Sequence, residues 1–389
     1  MLRTKLLACA SVLAAGVVAA PSPAIAQTTH VAYVYVSNLV APDTSTEHDL
    51  YAYGARADGS LYRVAGTPFN IDISTLWDNS HYLFGLNGNQ LDSYWISSTG
   101  APQLVGTIDA GAQAINPCGA GLGPLKVDHS GHDIYNAIVA GDCMGTAFQT
   151  FAINNTTGKL TYNSTSDEIF LGGGELDFLG NNLFAYSPIC TNFDHEEVGY
   201  ITGFQRASDG TLHAIQVNGG GITPKDTSHD YCPGTIATDP TNHMAVLQQE
   251  VDFFSDPYGP PSIATYTVTS TGDLTTTSTW SNMPHTRSGM RVMRMDPSGK
   301  LLAVAGSSGL EIFHYHGANP VTYAKTLLTS VPIDSLYWDH NNHLYALTRS
   351  NIGRGKLYVF TVTLTGAWQA PGSPHSIPNP DSLIVRAIN

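Results

Sequence analysis

One hairpin pattern recurs seven times along the chain, and this internal repeat limits the fold more than any other feature of the sequence. Each copy has a strand with an aromatic residue, a polar turn that contains glycine, and a second strand. Glycine supplies the positive φ that a tight hairpin needs. The seven turn glycines are Gly59, Gly100, Gly158, Gly210, Gly272, Gly317 and Gly366.

A second pattern, Asp-x-x-(Gly/Asn) followed by a short β run, precedes most of the hairpins. Asp in such a turn caps the backbone, and Pro or a polar residue sets the next position of a type I turn. The clear copies begin at Asp128, Asp239, Asp296 and Asp339, and weaker ones at Asp78 and Asp177. Each unit therefore reads as four antiparallel strands, which is one blade of a propeller. The sequence predicts an all-β, seven-bladed β-propeller forming a single domain over residues 27–389.

The two ends of the chain predict how the ring closes. The first unit lacks an Asp turn before its strand Ala32–Ser37. The C-terminal run Pro380-Asp-Ser-Leu-Ile-Val385 matches Ile333-Asp-Ser-Leu-Tyr-Trp338, which is the predicted inner strand of the last unit. We therefore expect the C-terminal strand to become the inner strand of blade 1, which removes the open edge of the ring.

The first 26 residues have the features of an export signal. Arg3 and Lys5 precede an apolar stretch from Leu6 to Ala20, and Ala24-Ile-Ala26 is a cleavage pattern. No other stretch looks transmembrane, so we expect an exported protein that is periplasmic or secreted. That compartment is oxidising.

Four cysteines follow the signal segment, and an even number in an exported protein favours two disulfides. Cys143 and Cys190 follow second strands, whereas Cys118 and Cys232 precede inner strands, so all four project toward one face. We predict the pairs Cys118–Cys143 and Cys190–Cys232, and other connectivities stay open.

The formal net charge of −14 bears on the class of partner. Such a surface repels a phosphate backbone, so nucleic acid is not an expected partner. The sequence instead predicts a monomer that binds a small molecule or a protein ligand.

Three segments resemble a known family of bacterial propellers. They are Tyr35-Val-Ser-Asn38, the Asp58-Gly-Ser-Leu…Phe69 segment, and Asp296-Pro-Ser-Gly-Lys-Leu301. These segments look like the lactonase-type, or YVTN-type, seven-bladed propellers. The resemblance implies hydrolysis of sugar lactones such as 6-phosphogluconolactone, and it equally implies a binding or surface role, because many exported relatives have no assigned chemistry.

One departure from that family concerns a Pro-His run that active-looking members carry before the Asp turn. The equivalent stretches here, such as Gly123–Val127 and Met290–Arg294, contain no histidine. The sequence therefore favours a non-enzymatic propeller that binds its ligand through the face bearing the loop insertions. The alternative is a lactone hydrolase.

Charged residues are predicted to meet at one mouth of the central channel, because propeller inner strands run parallel. The position five residues before the turn Asp is Arg291 in blade 6, Asp334 in blade 7 and Asp381 in blade 1. In a hydrolase, the carboxylates would act as general base and Arg291 would polarise a carbonyl. The alternative is that these charges pair with one another. The neighbouring candidates for ligand binding are Asp72, Lys126 and Arg294.

An acidic insertion gives the one candidate metal site, and no other cofactor is predicted. Its residues are Asp194, His195, Glu196 and Glu197, within Ser187–Gly199. Carboxylates with histidine suit a divalent metal. The alternative is a solvated acidic loop. Two further candidates for ligand binding on the same face are His229 and Asp230.

Overall fold

The structure is a computed structural model that describes residues 30–40, 47–113, 122–140, 145–170, 174–193, 196–215, 217, 224, 230–251, 259–349 and 354–388. The predicted signal segment, residues 1–26, lies outside these ranges. The described residues form strands, together with one 3-10 turn at Gly111–Gln113. Within these ranges, no helix has the length and apolar character that crossing a membrane requires.

The strands form seven separate antiparallel sheets, as the repeats predict. Blade 1 contains β1 (His30–Leu39), β2 (His48–Arg56) and β3 (Leu61–Arg63), with a fourth strand from the end of the chain. Blade 2 contains β4 (Leu76–Asp78), β5 (Tyr82–Asn87), β6 (Gln90–Ile96) and β7 (Pro102–Asp109). Blade 3 contains β8 (Leu122–Val127), β9 (Asp133–Ala140), β10 (Gly145–Ile153) and β11 (Leu160–Thr165), with β12 (Ile169–Phe170) beside β10.

The other four blades repeat this order. Blade 4 contains β13 (Asp177–Phe178), β14 (Phe184–Phe193), β15 (Glu196–Arg206) and β16 (Leu212–Ile215). Blade 5 contains β17 (Asp230–Thr238), β18 (His243–Val251), β19 (Ser262–Val268) and β20 (Leu274–Thr275). Blade 6 contains β21 (Met290–Met295), β22 (Leu301–Gly306), β23 (Gly309–His316) and β24 (Asn319–Thr329). Blade 7 contains β25 (Ser335–Trp338), β26 (His343–Thr348), β27 (Arg354–Thr363) and β28 (Gly366–Gln369), with β29 (His375–Pro378) beside β27.

The predicted closure of the ring is confirmed. The last strand, β30 (Pro380–Ala387), pairs antiparallel with β1, from Ala32 opposite Ala387 to Asn38 opposite Pro380. It contributes Leu383, Ile384 and Val385 to the buried core. The first blade therefore takes its inner strand from the end of the chain, and no inner strand is missing from the ring.

Apolar clusters fill the spaces between neighbouring blades, because both faces of each sheet are covered. Tyrosines on second strands reinforce this packing by donating to the hairpin carbonyl of the next blade. Tyr35 OH donates to Gly100 O over 2.9 Å, and Tyr186 OH donates to Gly272 O over 2.7 Å. Gly100 has a φ of 84° in its own turn. Its carbonyl also accepts the hydrogen bond that links its hairpin to the adjacent blade.

The Asp turns are confirmed in four blades and corrected in two. In blade 6, the Asp296 carboxylate accepts from the backbone N–H groups of Lys300 and Leu301 at 2.8 and 2.6 Å. In blade 2, the capping residue is Asn79 rather than Asp78, because Asn79 N bonds to Tyr82 O and Asn79 Oδ1 accepts from Tyr82 N. In blade 4, Leu179 occupies that position. Asp78 and Asp177 therefore lie on the inner strands, one and two residues before the turn.

The predicted disulfide between Cys190 and Cys232 is confirmed. It joins β14 of blade 4 to β17 of blade 5 and closes a separation of 42 residues. Cys118 and Cys143 lie outside the described residues, so their pairing stays a prediction.

Candidate functional site

The channel has two mouths that carry different groups. The inner strands begin at the mouth with Arg291, Asp334 and Asp381, which we call the upper mouth. They end at the turns capped by residues such as Asp296 and Asp339, which we call the lower mouth. Because a strand rises about 3.3 Å per residue, Arg291 and Arg294 lie roughly 10 Å apart along the channel. The two mouths are therefore separate candidate sites.

The upper mouth brings the three predicted catalytic residues together in one series of ion pairs and hydrogen bonds. Arg291 pairs with Asp334, whose second oxygen accepts from the backbone N–H of Arg349 at 2.8 Å. The Arg349 side chain donates to Asp381 O over 2.9 Å and lies 3.5 Å from the Asp381 carboxylate. Each carboxylate already has a cationic partner, which matches the alternative that these charges pair with one another.

The series of ion pairs and hydrogen bonds continues through a histidine that the sequence analysis did not select. His48 lies with Nε2 3.5 Å from Asp381 and Nδ1 3.2 Å from Asp72. Burial alone would lower the pKa of His48, but the hydrogen bonds to Asp381 and Asp72 raise it above its ordinary value. Burial alone would raise the pKa of Asp381, but His48 and Arg349 hold it below its ordinary value. His48 therefore ties β2 to the closing strand β30.

The raised pKa of His48 gives a pH dependence of stability with a definite sign. A histidine whose folded-state pKa is raised contributes fully below its unfolded pKa, and this contribution is lost as pH rises through the folded-state value. We expect the wild type to lose stability relative to His48→Gln between about pH 6 and pH 9. The loss should stay below about 1 kcal/mol, because Asp72 and Asp381 are partly exposed. Urea unfolding at several pH values measures it, and parallel curves for the two proteins would contradict it.

The lower mouth holds a cavity of about 530 Å³. Many of its lining side chains occupy one equivalent position, two residues before the turn cap of their blade, and this set is called the channel ring. Because the six blades have the same turn geometry, this position lies at the same height on each of their inner strands. The channel ring consists of Trp77, Lys126, Asp177, Ala237, Arg294 and Tyr337.

Two cations of the channel ring lie over the same indole. Lys126 Nζ is 4.8 Å and the Arg294 guanidinium carbon 5.5 Å from the centroid of Trp77. Lys126 also forms an ion pair with the buried Asp177, which accepts from Thr238 N at 2.9 Å. Burial alone would raise the pKa of Asp177, but Lys126 holds it below its ordinary value. The charge of Lys126 is thus already matched within the protein.

Arg294 differs from Lys126 because it forms no ion pair with a carboxylate of the described residues. Its Nε is buried and has no hydrogen-bond partner among the described residues. Its position is fixed from behind, where the Trp338 indole N–H donates to Arg294 O over 3.1 Å. Buried polar groups in proteins are nearly always paired, so an unpaired guanidinium N–H beside a cavity indicates a place for an acceptor from outside.

A carboxyl and a phenol line the same cavity on the side of blades 2 and 7. Tyr337 OH donates to Asp78 Oδ1 over 3.3 Å, and the Tyr337 ring packs edge-on against Trp77. Burial raises the pKa of Asp78 to about 6. This wall therefore offers hydrogen-bonding groups, and its carboxyl takes up a proton as pH falls through about 6.

A second, smaller cavity of about 50 Å³ lies one layer deeper in the channel. Trp77, Lys126 and Arg294 line both cavities, and Glu175 lines only the deeper one. Thr235 Oγ1 donates to Glu175 Oε1 over 2.8 Å. Burial raises the pKa of Glu175 to about 7, although the charge of Arg294 acts against this rise. A carboxyl that titrates near neutral pH beside a cationic group is typical of functional sites.

The other residues that the sequence analysis predicted for ligand binding do not gather at the upper mouth. Lys126 and Arg294 belong to the channel ring rather than to the upper mouth, where the sequence analysis placed them. Asp230 begins β17 and is exposed, and His229 lies outside the described residues.

The predicted metal site stays a prediction, because most of it lies outside what the structure describes. Asp194 and His195 lie outside the described residues, and Glu196 and Glu197 begin β15, paired with Phe193 and Asn192. The insertion is thus largely an extension of the β14–β15 hairpin rather than an irregular loop. In the described part of the chain, no group of at least three His, Cys, Asp or Glu residues is arranged to hold a metal.

Comparisons with known proteins give the fold a context. No family model matches the chain, and no curated protein matches it. A solved structure of a proposed 6-phosphogluconolactonase from Bacteroides uniformis has a TM-score of 0.62 at 14% identity, covering 92% of this chain and 100% of its own. A hypothetical selenium-binding protein from Sulfolobus tokodaii has a TM-score of 0.57 at 8% identity, covering 93% of this chain and 94% of its own. At such identities the chain is similar to these proteins in its propeller fold.

Proposed function

We propose that this protein is an exported propeller that binds a small anionic ligand in the cavity of the lower mouth. The observation that carries the proposal is the Arg294 guanidinium, which lines the cavity and whose Nε has no hydrogen-bond partner in the described part of the chain. Arginine presents a rigid fork of donors that suits a carboxylate or phosphate group. Hydroxyl groups of the same ligand would find partners in Tyr337 and Asp78, which line the same wall.

Two features support a location outside the cytoplasm. The leader over residues 1–26 has the layout of an export signal. The disulfide between Cys190 and Cys232 suits an oxidising compartment.

A second candidate function, lactone hydrolysis, is favoured by Glu175. A carboxyl with a pKa of about 7 is matched to general-base catalysis at neutral pH. Arg294 would polarise the lactone carbonyl in the lower-mouth cavity, while Glu175 would take a proton from an attacking water held between that cavity and the deeper one. Water then adds to the carbonyl carbon, the ring C–O bond breaks as the leaving oxygen takes the proton from Glu175, and a hydroxy acid is released. The fold shared with the proposed 6-phosphogluconolactonase is consistent with this chemistry.

One pair of assays tests both candidates. Titration calorimetry with gluconate measures binding of a hydroxy acid, and a pH-stat assay with glucono-δ-lactone measures hydrolysis. We expect gluconate to bind, and the hydrolysis rate to fall at least about 100-fold in Glu175→Gln if the protein is a hydrolase. EDTA should leave both unchanged, because the proposed site uses no metal. Absence of gluconate binding would overturn the binding proposal, and equal hydrolysis in both proteins would overturn the catalytic one.

A further inference from the structure

Glu175 and Arg294 lie in consecutive layers of the channel. Arg294 belongs to the channel ring that lines both cavities, whereas Glu175 faces only the deeper one. A ligand in the cavity of the lower mouth would therefore meet Arg294 and not Glu175. The two residues interact through their charges and share no hydrogen bond in the structure.

Groups from several blades surround the Glu175 carboxyl. The cations that face it are Arg294 from blade 6 and Lys126 from blade 3, and the anion beside it is Asp177 of its own blade. Thr235 from blade 5 donates to it, and the Tyr135 ring lines the same cavity. Lys126 already forms an ion pair with Asp177. The positive charge that stabilises an ionised Glu175 therefore comes mainly from Arg294.

Ligand binding would weaken the stabilisation of the ionised Glu175 carboxylate by Arg294. An anion on Arg294 satisfies the guanidinium and adds a negative charge one layer away from Glu175. Around a carboxyl that is already disfavoured by burial, a nearby like charge disfavours the ionised form further. The neutral carboxyl can keep the hydrogen bond from Thr235, because its carbonyl oxygen still accepts.

We propose that the channel takes up a proton at Glu175 when an anionic ligand binds to Arg294, so that the anion enters with its own proton. This inference rests on the proposed binding function and adds its regulation by pH. Because the coupling between two ligands is reciprocal, the affinity for the anion must fall as pH rises. Asp78 lines the main cavity and also titrates in the acid range, with a pKa of about 6. A variant at Glu175 separates the two carboxyls.

The test is calorimetry with gluconate, which stays ionised over the range used, in two buffers of different ionisation enthalpy at pH 7. The difference in observed heat gives the number of protons taken up. For the wild type we expect up to about 0.5 proton per ligand, because a group with a pKa near 7 is about half protonated before binding. Independently, wild-type affinity should weaken up to about tenfold between pH 6 and pH 9, the effect of a one-unit rise in the Glu175 pKa.

The matched variants are Glu175→Gln, which keeps the shape of the side chain, and Asp78→Asn. We expect Glu175→Gln to bind gluconate with little proton uptake and a flat pH profile, and Asp78→Asn to keep most of the uptake. Binding that depends on Arg294 but shows the same uptake in wild type and Glu175→Gln would overturn this inference and leave the proposed function standing. If gluconate does not bind the wild type at all, the proposed function and the inference both fall. If Glu175→Gln does not fold, Asp78→Asn decides the matter: proton uptake and a pH-dependent affinity that persist in it support Glu175, and their loss would overturn the inference.

Discussion

A chain that ends after Asn379 is expected to be unfolded or aggregated at 25 °C. This truncation removes β30, whose side chains Leu383, Ile384 and Val385 are buried between blades. Burying three such side chains contributes roughly 5–9 kcal/mol, which is comparable with the total stability of about 5–15 kcal/mol of an ordinary domain. Truncation also leaves β1 as an unpaired edge next to the channel, and an exposed edge promotes association.

A shorter truncation is the matched control. Ending the chain after Ala387 keeps every pair between β1 and β30 and removes one described backbone bond, from Ile388 N to Val31 O. We expect this protein to remain folded and monomeric. Circular dichroism and size-exclusion chromatography compare the two chains. A folded, monomeric chain ending at Asn379 would contradict the role of β30 as a latch.

Replacing Arg294 by glutamine should weaken gluconate binding by about 10- to 100-fold. A hydrogen bond to a charged group contributes about 1.5–3 kcal/mol, and each 1.4 kcal/mol is a factor of ten. Stability should be unchanged or slightly higher, because Arg294 is half-buried and its buried Nε has no partner among the described residues. Arg294→Lys should recover only part of the affinity, since lysine keeps the charge but lacks the planar fork.

Variants at two other arginines distinguish a site at Arg294 from a general charge effect and from a site at the upper mouth. Arg354 is exposed at the start of β27, so Arg354→Gln controls for the loss of one positive charge. Arg291 lies at the upper mouth, where the sequence analysis expected the chemistry. Calorimetry and thermal unfolding should show loss of binding in Arg294→Gln alone. Loss of binding in Arg291→Gln with normal binding in Arg294→Gln would move the site to the upper mouth.

The fold could be predicted because its signals are local and repeated. A turn glycine such as Gly100 has a positive φ in the structure, and the repeat placed it before any long-range contact was known. The likeness of Pro380–Val385 to Ile333–Trp338 was enough to predict the latch, because equivalent inner strands share one pattern of buried residues.

The channel ring could not be predicted because its alignment depends on turn geometry. The sequence pattern predicts Asp turns that begin at Asp78 and Asp177, but the residues at the turn cap are Asn79 and Leu179. This shift of one and two residues hides the fact that Trp77 and Asp177 are equivalent to Lys126 and Arg294. With the correct caps, the position two residues before each turn stands out by its unusual mixture of Trp, Lys, Asp, Arg and Tyr. His48 carries no repeat signal, and only the closing of blade 1 brings it to Asp381.

The central claim, that Arg294 at the channel ring is the ligand anchor, is tested most directly by a crystal structure of the protein soaked with gluconate. The account predicts electron density for the carboxylate at the Arg294 guanidinium, inside the lower-mouth cavity. Density at the upper mouth beside Arg291 and Asp381, with the channel ring free of ligand, would contradict it.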